Sequence, residues 1–281
     1  MYKLLITGGN GQLGRAINNL YKDREDIECI NTDVDELDIT NLDAVIKFVD
    51  ECRPYAILNC AAHTAVDLCE DQVELAYRIN AIGPRNLSIA ADKFDCKMMQ
   101  ISTDYVFAGD SDKPYLEFDK PNPQGVYGKS KLAGEEFVKE FSKKHFIIRT
   151  AWLYGDGKNF VKTMLRLAQD HEEVGVVYDQ VGSPTSAVEL AKAMDALIFT
   201  ENYGTFHGTC EGVCSWADFA EEIFRLAGKN VKVNRLTSDQ YPAKAKRPAY
   251  SVLENYMLKS TTDFRFADWH DALKEYMKSL I

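Results

Sequence analysis

The sequence predicts an α/β fold, a doubly wound parallel sheet with a smaller, interwoven C-terminal lobe. Three observations carry that expectation. Short apolar runs alternate with longer stretches of helical periodicity through the first half. A glycine-rich turn follows the first run, and the alternation loosens after Ala151. Parallel strands need long crossover connections, so strands alternating with helices imply a parallel sheet covered on both faces.

YKLLIT (Tyr2 to Thr7) reads as a buried strand, and LGRAINNLYK, after the glycine turn, as a helix. IECINT is a second strand. NLDAVIKFVDEC has apolar residues at helical spacing and is closed off by Pro54. AILNCAA is a third strand, and AYRINAIGPRNLSIAADKF is helical, with an interruption expected near Gly83-Pro84. CKMMQIST and HFIIRTAW are the fourth and fifth strands. Asp104 to Val126, with Pro114, Pro121 and Pro123, reads as a loop of a length that is usually functional or mobile. Beyond it, the helices SAVELAKAMDALIF and SWADFAEEIFRLAG flank a short strand, GTFHG, and WHDALKEYMKSLI is an amphipathic closing helix. No repeat or flexible linker separates these parts. The sheet domain is therefore expected over 1–151 and about 171–210, and the lobe over 152–170 and 211–281.

The composition narrows the functional classes. The chain has 281 residues, 46% hydrophobic and 27% charged, an ordinary soluble balance. No apolar run approaches bilayer length, and the first is too short for a secretory signal, so a cytoplasmic protein is expected. Seven cysteines with no C-x-x-C pair argue against a disulfide framework or a zinc site. The five histidines show no ligand spacing, so no metal is expected. A net charge of −10 argues against nucleic acid or an anionic membrane as partner.

The turn ITGGNGQLG sets Gly8, Gly11 and Gly14 three apart between strand and helix. Glycines permit the tight turn and a close approach of backbone to phosphate, and the helix N-terminus then faces a pyrophosphate. Dinucleotide binding follows. An acid at the end of the second strand should accept the adenosine ribose hydroxyls, and Asp33 lies at the right distance, with Asp35 and Asp38 as rivals. A carboxylate there repels a ribose phosphate, and no Arg or Lys in DVDE (Asp33 to Glu36) counters it. NADH is expected to bind at least as well as NADPH.

GVYGKSKLAGEE sets Tyr127 and Lys131 one helical turn apart. YGDGK repeats the spacing at Tyr154 and Lys158, but Gly-Asp-Gly between them is a turn sequence. An ammonium about 5 Å from a phenol, at an effective dielectric of about 20, favours the phenolate by about 3 kcal/mol. That is roughly 2 pKa units, so Tyr127 is expected to work as a proton donor near neutral pH. Thr103, ending the fourth strand in ISTDYVFAG, is placed to donate a hydrogen bond to the reacting oxygen, with Ser102 as the nearest competitor.

Together, TGGNGQLG, NCAAHTAVD, STDYVFAG, VYGKSK and RTAWLYG resemble the extended short-chain dehydrogenase/reductase family, and in order and spacing its dTDP-4-dehydrorhamnose reductases. The resemblance covers essentially the whole chain. It implies a Rossmann domain with a small substrate lobe, and NADH- or NADPH-dependent reduction of a 4-keto nucleotide sugar. It makes Tyr127 the proton donor, Lys131 the tuning and ribose-binding residue, and Thr103 the group polarising the keto oxygen. Cofactor contacts are implied at Gly11, Gln12 and Leu13, at Asp33, at Asp38 with Ile39, and at Ala61, Ala62 and His63. Substrate contacts are implied at Val66, Thr103, Asp104 and Trp152, although from the residues alone Trp152 reads as ordinary core. Asn80 matches a helix asparagine that supports the site.

Departures from the family also inform. Related sugar-nucleotide dehydratases carry Thr-Asp-Glu where this chain has Thr103-Asp104-Tyr105, so elimination of water loses its base while ketone reduction needs none. Some reductases of the family pair through Mg²⁺ held by glutamates just after the glycine turn. Arg15 and Ala16 stand there in this chain, which puts a Mg²⁺ bridge in doubt and leaves a monomer or a homodimer. KAKRPAYS resembles the family's Arg-Pro segment, in which Arg247, with or without Lys246, neutralises the substrate diphosphate; a solvated basic loop is the alternative. Two other functions share these motifs. One is a non-catalytic regulatory subunit resembling that of methionine adenosyltransferase, and the other is a different nucleotide-sugar ketoreductase or epimerase.

Overall fold

Each apolar run of the first half becomes one strand of a central parallel sheet. The structure, a computed structural model, describes residues 1–241 and 243–280; Pro242, which opens the segment PAKAKRPAY in sequence, and Ile281, the last residue of the run WHDALKEYMKSLI, lie outside the described residues. β1 (Tyr2–Thr7) leads through the glycine turn to α1 (Gln12–Tyr21), β2 (Ile27–Thr32), α2 (Leu42–Cys52) and β3 (Ala56–Asn59). Two short helices, α3 (Val66–Cys69) and α4 (Val73–Tyr77), a π turn (Arg78–Ile82) and α5 (Gly83–Lys93) lead to β4 (Lys97–Thr103). α6 (Val126–Phe141) and β5 (His145–Thr150) complete the first half. There follow β6 (Leu153–Tyr154), α7 (Phe160–Asp170), β7 (Glu173–Val177), β8 (Val181–Gly182), β9 (Thr185–Ser186), α8 (Ala187–Ile198) and β10 (Gly204–His207). The chain closes with β11 (Cys214–Ser215), α9 (Trp216–Leu226), β12 (Lys232–Leu236), α10 (Tyr256–Thr261) and α11 (Trp269–Lys278).

The strand order is β2-β1-β3-β4-β5-β10, all parallel, so the order reverses between β1 and β3. Ligands of doubly wound sheets bind outside the carboxyl ends of the strands at such a reversal. Alternation along β1 builds the two faces. Leu4 and Ile6 pack with Ile17 of α1 and Leu190 and Met194 of α8, while Leu5 packs with Val45 and Val49 of α2, Leu87 of α5 and Val138 of α6. Three two-stranded pairs, β7 with β12, β8 with β11 and β6 with β9, flank this sheet.

Two features differ from the sequence expectation. Gly83-Pro84 does not interrupt the helix, because Pro84 sits in the first turn of α5, where its missing N–H is not needed. The irregularity lies just before it, as the π turn that carries Asn80. The long loop after β4 is also tied down. It opens with a 3₁₀ turn at Asp104–Val106, and Tyr115 exchanges backbone hydrogen bonds of 2.9 Å with Val252 and Glu254. Among the described residues no helix is long and apolar enough to cross a membrane.

The π turn fixes a joint. Asn80 is buried, accepts from His63 N (2.8 Å), and donates to His63 O and to Ser130 Oγ (both 3.1 Å). One amide thus ties the segment after β3 to α6. Asn80→Ala strands the His63 N–H and C=O, and should destabilise the fold by about 1–3 kcal/mol in urea unfolding. An unmoved midpoint would contradict the joint.

Candidate active site

A cleft of about 670 Å³ opens at the carboxyl ends of β1, β3 and β4, within the range of small-molecule sites. One wall is the glycine turn. Gly8 has φ +69°, and a Cβ there would stand 2.7 Å from Ala61 N; a Cβ on Gly14 would stand 2.6 Å from Gly8 O. Any side chain at either position would push β1 off β3 or α1 off its strand. Gly11 caps α1, whose first turn carries no acidic residue, so its positive end faces the cleft unneutralised. Gln12 and Leu13 line the same wall. The Gln12 side chain is turned aside, accepting from Gly155 N (2.9 Å) and Asn159 Nδ2 (3.0 Å). This cradle fits a dinucleotide diphosphate, since its glycines leave the backbone at the start of α1 open to the cleft.

Asp33, Asp38 and Ile39 line the end of the cleft beyond the turn, and Asp35 does not. Asp38 Oδ1 is spent on Thr40 N (2.9 Å) and Thr40 Oγ1 (2.8 Å), whereas Asp33 accepts from Val34 N alone at 2.9 Å. Asp33 therefore keeps more of its carboxylate open to the cleft than Asp38 does. Ala61, Ala62 and Val66 line the opposite side. His63 does not reach the wall; Asn80 grips its backbone, and its Nε2 is buried without a partner.

α6 and β4 form the reacting end, where Thr103, Asp104, Tyr127 and Lys131 line one wall together. The expectation that Lys131 lowers the Tyr127 pKa is not met. Burial pushes the Tyr127 phenol up, the Asp104 carboxylate adds in the same direction, and the Thr103 hydroxyl pulls back. Lys131 Nζ donates to Ile101 O at 2.6 Å, and burial brings this ammonium down to about 8, opposed by Glu135 and Cys60. The simple Coulomb estimate omitted desolvation, which dominates both groups. Thr103 differs too. Its hydroxyl donates to Asp104 Oδ1 at 2.8 Å, so it must turn away from that carboxylate to serve a ligand. Burial pushes Asp104 up to about 6, against hydrogen bonds from Thr103 and Ser251.

The rival pair separates as its turn sequence implied. Tyr154 is buried in the core against Phe219 and Tyr276, and Lys158 is exposed. Trp152 is not ordinary core. It is half-buried on the cleft wall with φ +50°, its ring stacked on Trp216 at 3.7 Å. A bulky residue held in the left-handed region is a feature of functional sites. Arg247 lies off the main cleft wall, half-buried and ion-paired, in a segment whose Lys244 and Lys246 are exposed. It donates to Asp67 Oδ2 at 3.1 Å, next to Val66, while Ala245 N binds Asp67 Oδ1 (3.0 Å) and Lys244 pairs with Asp71.

Sequence reading missed Ser102 as more than a competitor, and missed Tyr105, whose ring meets Tyr127 edge-on at 5.4 Å. Arg15 forms an exposed pair with Asp156 at 3.2 Å. Among the described residues no group of three His, Cys, Asp or Glu is placed to hold a metal ion.

A family model described as "RmlD substrate binding domain" matches residues 2–281. The chain is 42% identical over 287 residues to a dTDP-4-dehydrorhamnose reductase of Aggregatibacter actinomycetemcomitans, covering 98% of each chain. A solved dTDP-4-dehydrorhamnose reductase of Clostridium acetobutylicum superposes with a TM-score of 0.97 at 57% identity over 99% of each chain. The reductase of Bacillus anthracis, solved in complex with NADP, superposes with a TM-score of 0.97 at 43% identity, over 99% of this chain and 100% of that one.

Burial of Lys131 gives a direct measurement. Its side-chain NMR signal should titrate with a midpoint of about 8. A midpoint near the ordinary lysine value of about 10.4 would contradict the desolvated site.

Proposed function

The chain belongs to the RmlD family, whose relatives include dTDP-4-dehydrorhamnose reductases. From that premise we propose that it reduces the 4-keto group of dTDP-4-dehydro-L-rhamnose to give dTDP-L-rhamnose, using NADH or NADPH. The observation that carries this reading is the shared cleft. A glycine cradle fit for a dinucleotide and the group Thr103, Tyr127 and Lys131 line the same cavity.

When bound, the dinucleotide supplies the hydride. The protein handles the proton. A phenol pushed up by burial stays protonated throughout the working range, so Tyr127 always holds a proton to give. The oxygen receiving it becomes alkoxide-like as the hydride arrives, and is then a strong base. That oxygen takes the proton from Tyr127. The Lys131 ammonium, on the same helical face, holds the nicotinamide ribose beside it. Thr103 turns from Asp104 to the keto oxygen, and Trp152 and Val66 bound the sugar.

The Asp33 carboxylate faces the ribose hydroxyls, so NADH serves at least as well as NADPH. Residues 152–170 and 211–281 act as the substrate lobe, with Arg247 exchanging Asp67 for the substrate diphosphate. The cleft is complete within one chain, so a monomer or a homodimer suffices, in the cytoplasm, where its seven free thiols stay reduced.

Tyr127→Phe should lower kcat at least about 100-fold and leave the Kd for NADH within about twofold; normal turnover would remove Tyr127 from the mechanism. Asp33→Asn should weaken NADH about tenfold and spare NADPH; equal losses would give the ribose to another residue. NADH oxidation across a panel of 4-keto nucleotide sugars should favour dTDP-4-dehydro-L-rhamnose. Oxidation with none would favour a regulatory subunit.

A further inference from the structure

Tyr127, Lys131 and Glu135 recur at every fourth residue of α6, so they share one helical face. That face is fastened to β4. Lys131 Nζ donates to Ile101 O, and Ser102 Oγ donates to Glu135 Oε1 (both 2.6 Å). From β5, Arg149 donates through Nε to Glu135 Oε1 (2.9 Å) and through Nη2 to Glu135 Oε2 (2.7 Å). Ser102 and Arg149 are register partners across β4 and β5, so one carboxylate spans two strands. Glu135 is 0% and Arg149 2% exposed, and the Phe107 ring covers the guanidinium at 5.1 Å.

A buried ion pair is weak evidence for stability, because well-packed apolar residues of the same volume often hold a core equally well. Its geometric specificity is what apolar packing lacks. A bidentate guanidinium fixes both the position and the angle of its carboxylate. Sliding α6 by one residue along β4 would break all three bonds to Glu135 at once.

We propose that Glu135, held by Arg149 and Ser102, is a positioning residue for the reduction, setting where Tyr127 and Lys131 stand in the cleft. The residue touches neither ligand and acts through its own helix. It also acts on Lys131 electrostatically, in the direction that keeps the ammonium charged. The titratable groups acting on Lys131 are Glu135 on its own helix and Cys60 after β3; β4 presents the Ile101 carbonyl, and Arg149 (2.7 Å) and Lys139 (3.8 Å) bear on it through Glu135.

The inference rests on the reduction proposed above, and wild-type turnover separates the two. A wild-type chain without turnover sinks the proposed function. With turnover in hand, kcat/KM is measured against pH for wild type, Glu135→Gln and Ser102→Ala. Wild type should lose activity as pH rises through about 8, where Lys131 loses its proton. Glu135→Gln, which leaves Arg149 unbalanced, should move that limb down by about one pH unit and lower kcat about tenfold, with the KM for NADH within about twofold. Ser102→Ala should lower kcat about threefold with the limb in place. A Glu135→Gln enzyme with wild-type kcat and an unmoved limb, whatever its melting temperature, overturns the proposal. If Glu135→Gln yields no folded protein, Ser102→Ala decides alone, and a wild-type kcat there overturns it.

Discussion

A carboxylate and a guanidinium, both withdrawn from water, hold the catalytic helix against the sheet. Glu135 and Arg149 bind each other through two hydrogen bonds, and Ser102 supplies a third. Removing two charges from water costs several kcal/mol per ion, and that cost is offset only when geometry is good and the polar atoms are matched. The three bonds fix the position and angle of Glu135, and with it α6, on β4 and β5, while Arg149 Nη1 is buried without a partner. The reacting end follows that seat, because Lys131 and Tyr127 stand one and two turns from Glu135 along the same face.

Desolvation governs the chemistry of the seated groups. It drives Tyr127 and Asp104 up and Lys131 down, each toward its neutral form. Such a site suits reduction of a ketone, because the phenol keeps its proton until the substrate oxygen becomes basic enough to take it. The cofactor end works on the opposite logic. It offers backbone N–H groups and a helix terminus rather than side chains, because a side chain at Gly8 or Gly14 would occupy space that the backbone already fills.

What was legible in the sequence was local. The strands appear as short apolar runs, the glycine turn has fixed spacing, and Tyr127 and Lys131 are neighbours on one helix. Even the false pair could be rejected locally, since Gly155-Asp156-Gly157 cannot continue a helix. What was illegible depends on residues far apart in the chain. Arg247 meets Asp67, and Thr103 commits its proton to a carboxylate that burial has perturbed. The partnership of Glu135 with Arg149 and Ser102 exists only once β4, β5 and α6 have assembled. α7 (Phe160–Asp170), capped by Asn159, and the pairing of β7 with β12, strands about sixty residues apart, also escaped.

The central claim is that one helical face presents Tyr127 to the reacting oxygen. A crystal structure with NADPH and a 4-keto nucleotide sugar, or a stable analogue of it, measures this directly. The account predicts the phenol oxygen within about 2.6–3.2 Å of the sugar's 4-oxygen. It also predicts the Lys131 nitrogen on the nicotinamide ribose. A phenol turned away from that oxygen, or a nicotinamide ring bound elsewhere in the cleft, would contradict it.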